Sequence, residues 1–244
     1  MKILALDTTA VTAAAAVTED AHPIGTYQQN GTLTHSETML NMIENLLKNA
    51  HLTVDDIDLF AVSAGPGSFT GVRIGVSVIK GLAFGKNKPC VPVSALEALA
   101  GNLAPLAVLS VPFYACPVMD ARRNQLYCAL FRYDRDENGT VRRTRVWEDD
   151  MLSAAELSER LSASDAPVFF VGDGCRVTER EIRLSHAKEA PEALRWQNAY
   201  SVALTAQSIY EAAEDRSVFT DLLLKPSYLR PSQAEREKNE KNGN

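Results

Sequence analysis

The chain has 244 residues, of which 45% are hydrophobic and 23% charged, with a formal net charge of −6. That is enough for one large or two small globular domains with a real core, and the acidic balance excludes nucleic-acid binding through the bulk surface. Four cysteines, Cys90, Cys116, Cys128 and Cys175, lack Cys-x-x-Cys spacing and read as reduced, buried thiols rather than metal ligands. Asp7 interrupts the apolar start too early for a signal peptide, and no run approaches the roughly 18 apolar residues of a membrane span. A cytoplasmic chain that does not enter the membrane is expected.

The elements follow in chain order. KILALD is a near-continuous apolar strand ending in Asp7. VTAAAAV is a second strand candidate, although its alanines suit a helix equally by propensity, and HPIGTYQQN a third. Thr34 and Glu37 have capping-box spacing. The helix they open runs to about Ala50, with Met39, Met42, Ile43, Leu46 and Leu47 on one face. LFAVSAG is the next strand, Thr70 to about Phe84 a second helix, KPCVPV a short strand and SALEALAGNLA a third helix.

The pattern then restarts. FYACPVMD ends in Asp120, QLYCALFRYD follows as a second strand, DRDENG turns the chain and TVRRTRVW is a third strand. A helix over 153–161, a buried strand PVFFVG, a short helix near 176–184 and a long helix from about Ala199 to Ala213 complete it. Both halves therefore begin with an apolar strand, an Asp at its end, a tight turn and a second strand. This weak internal repeat predicts an α/β protein of two related domains, over 1–105 and 106–230, with a ligand cleft between them. The last helix, about 199–213, is expected to pack back on the first domain. Residues 231–244 read as a charged, disordered tail.

Asp7 and Asp120 at the strand ends admit two readings. They could orient a metal–phosphate group, or cap their own turns. The turns Thr8-Thr9-Ala10 and Ala121-Arg122-Arg123-Asn124 carry side chains where a phosphate would need glycine, which favours capping. In SAGPGSFTGVRIG, residues 63–75, Gly67, Gly71 and Gly75 recur every fourth position. Without a Walker lysine, and with Arg73 as the nearby cation, close packing is favoured over phosphate binding. The methionine-bearing stripe of the first helix suits a core face and a partner surface equally. Glu97 reads as a solvated residue and the Asp of VGDG as a turn. Arg122, Arg123, Arg142, Arg143 and Arg145 could form a basic patch, but a solvated sheet edge is favoured. The four histidines form no metal motif, and no Gly-x-Ser-x-Gly elbow occurs.

Taken together, ILALDTT, GPGSFTGVRIG, PVSALEALA, PVMDARRNQLY and PSYLR resemble the TsaB family, also called YeaZ, over residues 1 to about 230. The resemblance implies two domains of the actin/Hsp70/sugar-kinase type, each a mixed sheet flanked by helices. It implies a non-catalytic accessory protein, not an enzyme, for threonylcarbamoyladenosine synthesis in tRNA. The implied partners are the paralogous transferase TsaD and the ATPase TsaE; tRNA is reached indirectly, and a homodimer forms without TsaD. The paralogue's metal-binding histidines align with Ala95 and Leu99, so no metal is expected. The family's partner contact uses the first two helices, which implies an interface of Met39, Met42, Ile43, Leu46, Leu47, Gly71, Arg73 and Gly75. Asp7, Thr8, Thr9 and Asp120 remain as a vestigial nucleotide site. No cofactor is expected on the chain alone, with ATP or ADP and Mg placed at the complex interface. The alternative is an ATP-binding, kinase-like enzyme of the same fold using Asp7 and Asp120.

Overall fold

The computed structural model describes residues 1–31 and 34–229; the tail expected over 231–244 lies outside them. Strands β1 (Lys2–Asp7), β2 (Thr12–Glu19), β3 (His22–Asn30), β4 (Leu59–Gly65) and β5 (Cys90–Ser94) form one sheet in the order β3-β2-β1-β4-β5. Strands β6 (Phe113–Asp120), β7 (Gln125–Arg135), β8 (Val141–Ser153), β9 (Val168–Val171) and β10 (Ala187–Glu189) form the other, in the order β10-β9-β6-β7-β8. In each sheet the first three strands are an antiparallel meander, and the last two run parallel on the other side of the first strand. The repeat read from two Asp-terminated strands is thus a repeat of whole-sheet connectivity, and the α/β class with two mixed sheets is the observed one.

The helices are α1 (His35–Asn49), α2 (Phe69–Ala83), α3 (Ala95–Gly101), α4 (Ala104–Leu109), α5 (Ala154–Leu161), α6 (Cys175–Glu181) and α7 (Ala199–Ala212). The alanines of β2 are strand because helices press on both its faces. Ala13 and Ala15 lie in the core with α1, and Ala14 and Ala16 in the core with Ala199, Val202, Ala203 and Ala206 of α7. A side chain of one carbon lets both helix layers approach closely. The helix expected over 94–104 divides. α3 ends at Gly101, and Pro105 in the first turn of α4 cannot continue an α3 hydrogen-bond ladder. Between them Asn102 is anchored: its amide donates to the carbonyls of Leu194 and Trp196, and Ser201 donates to its Oδ1 at 2.6 Å. The edge strand β10, three residues long, has no signal in the sequence.

One expectation about α1 is corrected. Met39, Met42, Ile43, Leu46 and Leu47 are all buried, packed on Leu4, Leu6, Val17, Val72 and Val76 of the same chain. They face the sheet, and of the five Met39 alone also borders the concavity between α1 and α2. The capping box is as read, with Glu37 Oε2 accepting the Thr34 amide at 2.9 Å. All four cysteines are free and buried. No helix among the described residues is long and apolar enough to cross a membrane.

Candidate functional site

The first strand-end turn is closed. Asp7 is 1% exposed. Its Oδ1 accepts the Thr9 amide at 2.9 Å and the Thr9 hydroxyl at 2.7 Å, and its Oδ2 accepts the Ser63 hydroxyl at 2.6 Å. Burial pushes the carboxyl above its ordinary range, and the Ser63 and Thr9 bonds pull it back. Thr8 is buried as well and donates to the Gly71 carbonyl at 2.7 Å. The Ser68 amide donates to the Thr9 carbonyl at 2.7 Å. Asp7 is therefore a turn cap. Asp7 and Thr8, expected in a nucleotide site, do not line the cleft, and Thr9 lines it with its donors already spent.

The glycine row explains how α2 comes so near. A Cβ at Gly71 would stand 2.0 Å from the Thr8 carbonyl oxygen, one at Gly75 2.5 Å from the Thr8 hydroxyl, and one at Gly67 2.4 Å from the Thr9 carbonyl oxygen. The spacing does mean close packing, but within this chain. Gly71 and Gly75 are buried against the β1–β2 turn, which corrects their expected place in a partner interface.

The second strand-end turn is open. Asp120 is exposed, and its Oδ1 accepts the Arg122 amide at 2.7 Å. Arg122, Arg123 and Asn124 stand at φ of 68°, 56° and 58°, left-handed backbone that costs a non-glycine residue about 1 kcal/mol or more. The glycines flanking Asp173 fit tight backbone: a Cβ at Gly172 would lie 2.1 Å from the Val118 carbonyl oxygen, and the Gly174 amide donates to that oxygen at 3.1 Å. Asp173 between them is the residue that sequence reasoning passed over as a turn. Its signal was an acidic residue held between two glycines at the end of a buried strand. Burial raises its carboxyl to about 6, a hydrogen bond from the Asp120 backbone pulls it back, and the Asp120 carboxylate adds to the rise. Its Oδ1 is buried with no hydrogen-bond partner among the described residues.

These turns face one cleft of about 580 Å³, lined by Thr9, Gly67, Asp120, Arg122, Asp173 and Tyr228 among others. The residues present do not fit a Mg-nucleotide. The amide and hydroxyl donors of Thr9 and the amide of Ser68, which could cradle phosphates, already donate inside the chain. Asp120 and Asp173 also border the cleft and would repel a phosphate that arrives without a cation, although carboxylates can serve as Mg ligands. Among the described residues no group of three or more His, Cys, Asp or Glu side chains could hold a metal ion.

A second concavity lies between α1 and α2. It is mostly apolar and lined by Leu40, Phe69, Ile74 and Val78, with His35 and Arg73 at its polar margin. Leu40 is 57% exposed. The Arg73 guanidinium sits 4.0 Å above the Phe69 ring and donates through Nε to the Tyr228 hydroxyl at 2.9 Å. Phe69 and Tyr228 stack with ring centres 4.9 Å apart. Phe69 borders both the groove and the cleft.

The arginines of β8 are engaged internally. Glu97, expected to be solvated, accepts Arg143 at 3.2 Å and Arg145 at 2.9 Å, and Asp149 accepts Arg145 at 2.6 Å. Both guanidiniums lie over the Phe131 ring. Arg142 pairs with Asp136. Arg122 and Arg123 lie apart from them, at the cleft.

Residues 28–238 match the family model described as TsaD, tRNA N6-adenosine threonylcarbamoyltransferase. The chain is 35% identical to the tRNA threonylcarbamoyladenosine biosynthesis protein TsaB of Bacillus subtilis, over 70% of this chain and 71% of that one. It is 34% identical to the TsaB of Escherichia coli, over 71% and 72%. Its structure is similar to that of YeaZ from Pseudomonas aeruginosa, with a TM-score of 0.75 and 25% identity over 93% of this chain and 99% of that one.

Proposed function

The chain belongs to the TsaB family of tRNA threonylcarbamoyladenosine biosynthesis proteins, and from that premise we propose that it acts as a non-catalytic subunit that docks the transferase TsaD. The observation that carries this reading is the contrast between a spent Asp7 and an open apolar groove. A carboxylate that is 1% exposed, lies off the cleft and accepts three hydrogen bonds within its own fold is not presented to a substrate. The α1–α2 groove instead offers exposed Leu40 beside half-buried Phe69, Ile74 and Val78, the kind of surface that associating proteins cover. The docking residues are then Leu40, Ile74, Val78 and Arg73, on the solvent sides of α1 and α2, in place of the buried methionine stripe. The same face would pair two copies of the chain when TsaD is absent. TsaE joins the complex, tRNA is reached through the partner, and the setting is the cytoplasm. ATP or ADP with Mg belongs to the interface with TsaD and not to this chain's own cleft. The kinase-like alternative needs both Asp7 and Asp120 at the cleft and loses the first.

The test is threonylcarbamoyl transfer to tRNA by purified TsaD and TsaE, with and without this chain. A Leu40→Asp/Ile74→Asp double variant should lose TsaD binding in calorimetry and support no transfer, because two buried charges at the centre of an interface cost several kcal/mol, on the order of a thousandfold in affinity. Asp120→Ala should bind and support transfer like wild type. A folded, TsaD-bound Asp120→Ala protein that supports no transfer would make the chain a catalytic subunit.

A further inference from the structure

We propose that the Asp173 carboxylate sets the ligand class of the interdomain cleft: it excludes polyphosphate anions, and removing its charge admits them. This stands apart from the docking reading, which concerns the α1–α2 groove.

The two halves of the fold isolate what Asp173 does. After β4 the chain reads Gly65-Pro66-Gly67, and after β9 it reads Gly172-Asp173-Gly174. Gly65 and Gly172 both stand at positive φ, 125° and 121°, so the bend in each loop is made by its glycines. The middle residue is free of that task, since the first half fills it with proline. The acid is therefore not required by the shape of the loop.

Packing holds it only in part. Backbone amides, that of Asp120 foremost, bond the carboxylate, but its Oδ1 is buried and receives no hydrogen bond among the described residues, whereas both oxygens of Asp7 are partnered. The Asp120 backbone amide favours the charged form of Asp173, the Asp120 carboxylate opposes it, and Arg122 is a weaker favourable influence. Two acidic groups thus border the same cleft. Ionised, Asp173 holds a negative charge in a partly desolvated wall, where repulsion of an incoming phosphate is much stronger than in water. Arg122 and Arg123 border the same cleft and would attract such an anion. Asp173 is the group that opposes them.

The experiment is isothermal titration calorimetry of the full chain at about pH 7.5, where a carboxyl of this kind is ionised, with ADP and separately with inorganic pyrophosphate, both in chelator-containing buffer so that no cation bridges the acids to the phosphates. Asp173→Asn keeps the shape and removes the charge; Asp173→Ser removes charge and bulk and serves if the asparagine protein folds poorly. Both variants should bind both probes at least about tenfold more tightly than wild type, the scale expected for deleting one charge from a partly buried site. Asp120→Asn should gain less, because its carboxylate is exposed and already accepts the Arg122 amide. Equal affinity of wild type and the folded Asp173 variants, including no binding by either, would overturn the proposal. So would a gain confined to ADP, which would assign the effect to the nucleoside rather than the charge.

Discussion

Asp7 and Asp120 end the first strands of two sheets with the same connectivity, and their surroundings could hardly differ more. Asp7 is sealed beneath α2, its oxygens filled by Ser63 and Thr9. Asp120 stands in the open and holds a single amide of its own turn. The cause lies in the helix that follows the fourth strand of each half. In the first half the loop bonds the turn itself, Ser68 to Thr9, and the fifteen-residue α2 then rides over Thr8 on Gly71 and Gly75. In the second half the Gly174 amide bonds Val118, Asp173 accepts the Asp120 amide, the helix α6 has seven residues, and its Arg180 donates to Asn124 of the turn from the surface at 3.1 Å. The same chain path thus yields a buried latch in one half and an exposed turn in the other. A conserved topology does not carry a conserved site.

The comparison can be broken most severely at Gly71. Gly71→Ala places a methyl against the Thr8 backbone, which cannot move without opening the latch, and should cost about 3 kcal/mol or more in urea unfolding. Gly81, in the same helix with nothing near its missing Cβ, is the control: Gly81→Ala should stabilise by roughly 0.5–1 kcal/mol. Equal effects at the two glycines would refute the latch.

The carboxylates themselves sharpen the contrast. Asp7→Ala strands the buried hydroxyls of Ser63 and Thr9 and should destabilise by about 3 kcal/mol, since each orphaned polar group costs about 1–3 kcal/mol. Asp120→Ala removes one exposed bond and should cost under about 1 kcal/mol by the same measurement.

A further effect concerns Asp173 and depends on pH. Its folded carboxyl titrates at about 6 against an ordinary 3.8, so between those values the folded state holds a proton that the unfolded state releases. Stability from this group is therefore present below about pH 4 and is lost as pH rises through 6. Asp173→Asn should stabilise the fold by about 2 kcal/mol at neutral pH, after allowance for partial exposure, and by nearly nothing near pH 4. Thermal melts at the two pH values check this. A variant destabilised at neutral pH would show that Asp173 has a structural partner after all.

Much of the fold was legible because its cues are local. The capping box at Thr34 and Glu37 marked the start of α1, and Asp-terminated apolar strands exposed the repeat. The site was less legible because the stripe of α1 shows only that one face avoids water. Met39 and Leu40 are adjacent, yet the first is core and the second surface, and the residues exposed for docking are those the stripe omits.

The amino-acid sequence by itself determined the two-fold α/β repeat, the positions of most elements, the absence of a Walker lysine and the close approach implied by glycines every fourth residue. Periodicity and steric demand reside in neighbouring residues and need no knowledge of what lies opposite. What lies opposite was decided by the tertiary structure alone. It chose Thr8 of the same chain, not a partner, as the object packed against Gly71 and Gly75. It filled Asp7 with donors from Ser63, fifty-six residues away. It brought Asp173, in the loop after β9, beside Asp120 at the end of β6, and left one of its oxygens without a partner among the described residues. Burial and charge proximity are properties of pairs distant in the chain, and only the folded molecule brings such pairs together.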